Sequence, residues 1–232
     1  MSYKTLKFSS ASLYVLGLAA ASALFLSGFV GLNINHIVRF FAAVFVLAVT
    51  YFAGVLGCAA DFKDKHRQMH KCVCWLFVLY ILMIIDSTLI NGDFGRNISV
   101  IFSLSKEQRL DYVALNTNFV PFKTVTLFIK GFKEGNVGFF AAAENILGNF
   151  LVFMPMPFFL PLCFKSINNF AKSILITSAA VVTVELLQLL LLAGSADIDD
   201  FILNVSGAAL FYALMKTKFA KKAVNILTLG EF

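Results

Sequence analysis

Apolar runs long enough to cross a bilayer constrain this chain more than any other feature. About 20 consecutive apolar residues are needed to span roughly 30 Å of hydrocarbon. Six segments meet that requirement: Ser12 to Leu32, Ile37 to Ala60, Cys72 to Ile90, Phe139 to Phe164, Ser173 to Ala193 and Asp197 to Met215. The fourth contains Pro155, Pro157 and Pro161, and the sixth reaches spanning length only by including the acidic turn before it. With 59% hydrophobic and only 14% charged residues, the latter clumped between the runs, a soluble domain, disorder and a repeat solenoid are excluded. The expected fold is an all-α polytopic transmembrane bundle.

Lys and Arg placement sets the expected orientation, because basic flanks stay on the cytoplasmic side during insertion. With the amino terminus inside, the inner segments hold twelve of the nineteen basic residues, including Lys63, Lys65, Arg67, Lys71 and the run from Lys216 to Lys222. Both termini are then cytoplasmic. The first run continues past Ala21-Ser22-Ala23 and soon meets a second span, which reads as an uncleaved anchor and not a cleaved signal. The net charge of +6 is thereby explained by topology, with no nucleic-acid partner required. The four cysteines fall at inner span ends, where free thiols are expected. Four regions follow: a three-span amino-terminal region over 1–90, an extracytoplasmic segment over 91–138, a three-span core over 139–216 and a basic tail over 217–232. Within 91–138, Phe122, Val125, Phe128, Ile129 and Phe132 recur at helical spacing, as expected of a helix in the headgroup region or a cap packed on the span ends.

Polar groups at membrane depth are costly, so each needs a partner or a purpose. Six carboxylates lie in or beside spans: Asp86, Glu144, Glu185, Asp197, Asp199 and Asp200. Asn145 and Asn149 share a helical face, as do Glu185 and Gln188; Asp197, Asp200 and Asn204 form one stripe above Gly207. The orientation rule ignores these residues, yet it puts all three faces at similar depth in the outer half, with Asp86 near enough to join. That convergence favours a polar pocket open to the outside over simple helix packing. No Lys or Arg occurs between Lys133 and Lys165 or between Lys172 and Lys216. The counterion is therefore a base of the outer segment (Arg96, Arg109, Lys123, Lys130 or Lys133), a bound cation, or a proton held on Glu185. Pro155 and Pro157 remove the hydrogen bonds to the Leu151 and Phe153 carbonyls, so the fourth span should kink or unwind; the freed carbonyls then line a cavity or are satisfied by water or hydroxyls. His66, His70, Cys72 and Cys74 are zinc donor types, but residues two apart on a helix point away from each other and no metal site is expected.

Four ordered blocks carry a resemblance: Asn118-Phe119-Val120-Pro121-Phe122-Lys123-Thr124, Glu144 through Pro155, Glu185-Leu186-Leu187-Gln188, and Asp197-Ile198-Asp199-Asp200 followed by Asn204 and Gly207. Over about residues 116–216 the chain resembles the VanZ-like family of bacterial membrane proteins. Ala193-Gly194-Ser195-Ala196 stands where that family usually carries an Arg, and Met156 follows Pro155 where it usually carries Gly. The resemblance implies a role in the bacterial envelope, multi-pass in the cytoplasmic membrane, and through the family's naming member an effect on susceptibility to the glycopeptide teicoplanin.

Residues and resemblance together lead to a protein that binds a lipid-linked or cell-wall-related polar ligand in an outer-leaflet pocket. Its expected ligand-binding residues are Asn118, Pro121, Asn145, Asn149, Glu185, Gln188, Asp197, Asp199, Asp200 and Asn204. Its expected partners are membrane lipids and a cell-wall precursor or glycopeptide-related ligand; the cofactor is left open. The alternatives are an intramembrane enzyme acting on lipid headgroups, with Glu185 and Asp200 as catalytic candidates and the Asp197/Asp199/Asp200 set as a Mg2+ or proton site, a small transporter, or a protein in which the polar residues only hold helices together.

Overall fold

A computed structural model describes residues 3–29, 34, 36–90 and 104–231; Arg96 lies outside them. The chain divides into two compact units. Unit one comprises Met1–Gly95, Leu162–Lys165 and Thr217–Phe232, and unit two comprises Arg96–Pro161 and Ser166–Lys216. Among the described residues six helices are long and apolar enough to cross a membrane.

Unit one is built on α1 (Tyr3–Phe29), α2 (His36–Ala60) and α3 (Lys65–Ile85), with α3 running on into a π-helical turn at Asp86–Ile90. α1 starts earlier than the apolar run because Lys4 and Lys7 sit on its first turns with their charges exposed, as long basic side chains do at a headgroup boundary. Without a hydrophobic drive inside lipid, small residues let such helices approach closely. A Cβ on Gly54 would collide with the Cys72 sulfur, and one on Gly17 would lie 2.8 Å from Thr50 Oγ1. Ser10 Oγ donates to the Ala53 carbonyl at 2.7 Å. At the other end of the α1/α2 pair, Arg39 bonds Asp86 at 3.1 Å and Ser27 Oγ at 3.2 Å, a part-buried ion pair that takes Asp86 into unit one.

Unit two holds α4 (Lys106–Leu115), β1 (Thr117–Asn118), α5 (Lys123–Lys133), α6 (Phe139–Val152), α8 (Phe170–Leu190), β2 (Ala196–Asp197) and α9 (Ile198–Met215). α7 (Met156–Cys163) follows α6, its last residues belonging to unit one. α5 covers the amphipathic stretch read from the sequence. The break at Phe153–Pro155 stands where the prolines require it. The carbonyls they free are not left open, since Met154 N–H donates to Leu151 O and Met156 N–H to Phe153 O, each at 3.1 Å. Neither water nor a hydroxyl is needed there.

α8 ends in a six-to-one turn in which Ala193 N–H donates to Gln188 O at 2.8 Å, with Leu192 at φ 51. That turn delivers the chain into β2, which pairs in parallel with β1, Thr117 opposite Ala196 and Asn118 opposite Asp197. Two residues per strand make a clasp more than a sheet. α9 lies against both α6 and α8, and it meets α6 so closely that a Cβ on Gly207 would overlap the Phe150 carbonyl oxygen. The basic carboxy-terminal segment forms α10 (Lys218–Leu227) in unit one, with Tyr51 Oη donating to the Leu227 carbonyl at 3.0 Å.

Candidate functional site

The acidic turn before α9 is the centre of unit two's polar chemistry. Asp197 is the N-cap of α9 and accepts from Asp199 N–H at 2.9 Å, which satisfies one of the donors a helix leaves unpaired at its start. Its remaining bonds reach the clasp, from Asn118 Nδ2 at 2.9 Å to Oδ1 and from Thr124 Oγ1 at 2.5 Å to Oδ2. Asp199, 1% exposed, places its carboxylate at the start of α5. Thr124 N–H and Val125 N–H donate to Oδ2 at 2.7 and 3.1 Å, and Phe122 N–H donates to Oδ1. Phe122 reaches that position in the left-handed region, at φ 63.

The charge on Asp199 is thus met by the backbone N–H groups and positive end of α5. For Asp199 a helix terminus serves as a counterion, a kind of partner not among those read from the sequence. Lys130 instead faces Glu134 on its own helix at 3.8 Å, and Arg109 Nε donates to the Leu104 carbonyl at 3.3 Å. Thr124 is the residue that sequence reasoning left out of the site. Its place at the second position of α5, one residue after Lys123, was the available sign that its hydroxyl and N–H would meet an anion at a helix start.

Further into the bundle the polar groups belong to α6, α8 and α9. Asn149 Nδ2 donates to Asp200 Oδ1, joining α6 to α9. Asn204 Nδ2 donates to the Asp200 carbonyl at 2.8 Å, and Glu185 on α8 accepts from Asp197 N–H at 3.2 Å. Gln188, one turn beyond Glu185, is buried. Asn204 is 2% exposed and its Oδ1 has no hydrogen-bond partner; Asn145 Oδ1, one turn before Asn149, is likewise buried without one. An unsatisfied buried acceptor costs about 1–3 kcal/mol, so two on adjacent helices are a debt that a donor from outside the chain would relieve. Ser173 Oγ, near the start of α8, is a third such atom.

The expected residues therefore fall into two groups. Asn118, Asp197 and Asp199 are brought together around the clasp, with Pro121 exposed in the loop they hold. Asn149, Asp200, Asn204 and Glu185 are linked through α9, with Asn145 and Gln188 one turn away on α6 and α8. Glu144 is exposed. Among the described residues no three His, Cys, Asp or Glu side chains come close enough to hold a metal ion. His70 and Cys74 approach to 3.8 Å one turn apart, while Cys72 turns to the Thr50 carbonyl and His66 to the Glu231 carbonyl.

No curated protein and no solved structure matches the chain. A family model described as VanZ/LLP1 matches residues 77–220, beginning inside α3 and so extending past the blocks quoted from the sequence at both ends. That match takes in the clasp, the α6 asparagines, Glu185 and the acidic turn over more than half of the chain, and this membrane protein belongs to the VanZ/LLP1 family.

Proposed function

We propose that the protein is a multi-pass component of the bacterial cytoplasmic membrane, with both termini in the cytoplasm, that binds a lipid-linked or cell-wall-related polar ligand in the outer leaflet. Asn145, Asn149, Glu185, Gln188, Asp200 and Asn204 contact the ligand. Asn118, Pro121, Asp197 and Asp199 form and fix the rim above them.

The observation that carries this reading is the pair of buried, unpartnered amide oxygens on Asn145 and Asn204. They sit beside an Asn149–Asp200 bond in which the amide nitrogen is already engaged, as is that of Asn204. What the cluster leaves buried and unpartnered is acceptors. It therefore suits a headgroup rich in hydroxyl or ammonium donors, such as a sugar or an amine. An effect on teicoplanin susceptibility is supported by family membership and would follow if the ligand is a cell-wall precursor.

The test is mass spectrometry of lipids retained by protein purified in mild detergent, comparing wild type with Asn145→Leu and Asn204→Leu. Leu keeps the volume and removes the acceptor. A polar lipid present on wild type and lost from both variants, with unchanged protein yield, supports binding; identical lipid profiles would refute it.

A further inference from the structure

Unit one gathers basic residues from three distant parts of the sequence at one of its ends. Lys63 and Lys65 lie in the turn between α2 and α3. The carboxy-terminal end of α10 is held to unit one by the Tyr51–Leu227 bond, and the residues just after it reach the start of α3, where His66 Nδ1 meets the Glu231 carbonyl at 2.9 Å. The Ser10–Ala53 bond fixes the register of α1 against α2. At 1.5 Å per residue, Lys4 and Lys7 then lie level with the last turn of α2.

α10 is amphipathic, with Lys218, Lys221 and Lys222 on one face and Ala220, Ala223, Val224 and Leu227 on the other. Ala220 is packed inward, while Phe219 at 84% exposure stands on the flank between lysines and apolar face. Phe62 beside the α2/α3 turn is 75% exposed, with Lys65 Nζ 3.7 Å from its ring centroid. Opposing charge comes from Asp61 and Asp64 in the turn and from Glu231. Asp64 faces Arg67 at 3.5 Å, and Glu231 lies 3.9 Å from His66. Lysines flanked by projecting aromatic rings, at the ends of apolar spans, match the headgroup layer of a bilayer, where phosphate meets the upper acyl chain.

We propose that this end of unit one is a binding surface for anionic phospholipid, with the headgroup phosphodiester held between the α2/α3 turn and α10 and with Phe62 and Phe219 inserted beside it. The source is a lipid headgroup, because the rings serve no purpose for free phosphate. None of its residues belongs to the polar cluster of unit two, and its test does not depend on that cluster.

The full-length protein is incorporated into nanodiscs of phosphatidylglycerol mixed with phosphatidylcholine, and the lipids retained on release into detergent are counted by native mass spectrometry. Wild type should keep phosphatidylglycerol over phosphatidylcholine, with the preference falling at high salt. A basic residue at an anionic surface contributes about 1 kcal/mol, which is about fivefold. Lys218→Gln/Lys221→Gln/Lys222→Gln should therefore weaken retention on the order of a hundredfold. The corresponding triple Arg variant should retain binding, as should Lys123→Gln/Lys130→Gln/Lys133→Gln on α5. Should the α10 Gln variant fail to fold, Lys63→Gln/Lys65→Gln reads the same surface, with roughly a 25-fold loss. Equal retention of the two lipids, no loss in the α10 and turn variants, an equal loss in the α5 variant, or displacement by millimolar inorganic phosphate would each overturn the proposal.

Discussion

Asp199 accepts from three backbone N–H groups at the start of a helix that lies far upstream in sequence. A hydrogen bond to a charged group contributes about 1.5–3 kcal/mol, and loss of the carboxylate would leave several of those donors unsatisfied. Asp199→Ala should lower stability in detergent by about 3–5 kcal/mol, followed by thermal or denaturant unfolding; a loss below about 1 kcal/mol would show the capping to be dispensable. Asp199→Asn, which keeps one acceptor oxygen, should lose less. Phe122 shows what the arrangement requires in return, since a left-handed Phe costs about 1–2 kcal/mol, and here its N–H gains the Asp199 carboxylate as acceptor. The sequence showed the acidic run and its offsets along one helix. The capping role was hidden because Asp199 and its donors are 74 to 77 positions apart, and no periodicity reaches across such a gap.

Among the elements, the contact of α6 with α9 depends on Gly207, because any β-carbon there would enter the Phe150 carbonyl. Backbone does not yield as a flexible side chain does, so the helices must separate. Gly207→Ala should destabilise unit two by about 1–3 kcal/mol and raise amide exchange in α6 and α9 together, measured by hydrogen exchange; unchanged exchange in α6 would contradict the close crossing. Asn145 and Asn149 could be read from their spacing as one face of α6, and the proline break could be read from the chemistry of Pro155 and Pro157. The fate of the freed carbonyls could not, because the tight turn bonds that satisfy Leu151 and Phe153 depend on where the chain goes after it breaks. Arg39 stands near the start of the second apolar run. Its place in a part-buried pair with Asp86 became visible only once α2 and α3 were packed.

For the molecule as a whole, hydrophobic length alone was enough to recover the six spans, since the bilayer imposes the same ruler on every crossing. Division into two units was not legible, because the chain passes between them at Gly95, Pro161, Lys165 and Lys216, and assignment of the last segment rests on contacts such as Tyr51 with Leu227. The proposed topology puts α10 inside and the loop after α5 outside. In intact cells, a membrane-impermeant maleimide should label Asn136→Cys and leave Lys222→Cys unlabelled until the membrane is opened, with the four native cysteines replaced in both. The reverse pattern would invert the topology and move the acceptor cluster to the inner leaflet.

The clasp around Asp197 and Asp199 also has a consequence for biosynthesis. α5 leaves the ribosome some 75 residues ahead of the carboxylate that caps it. At about 5–20 residues per second this is a wait of roughly 4–15 s. Throughout that interval the nascent helix has only its own greasy side and the lipid surface to hold it, so its amphipathic character is needed before the finished protein exists and not merely afterwards.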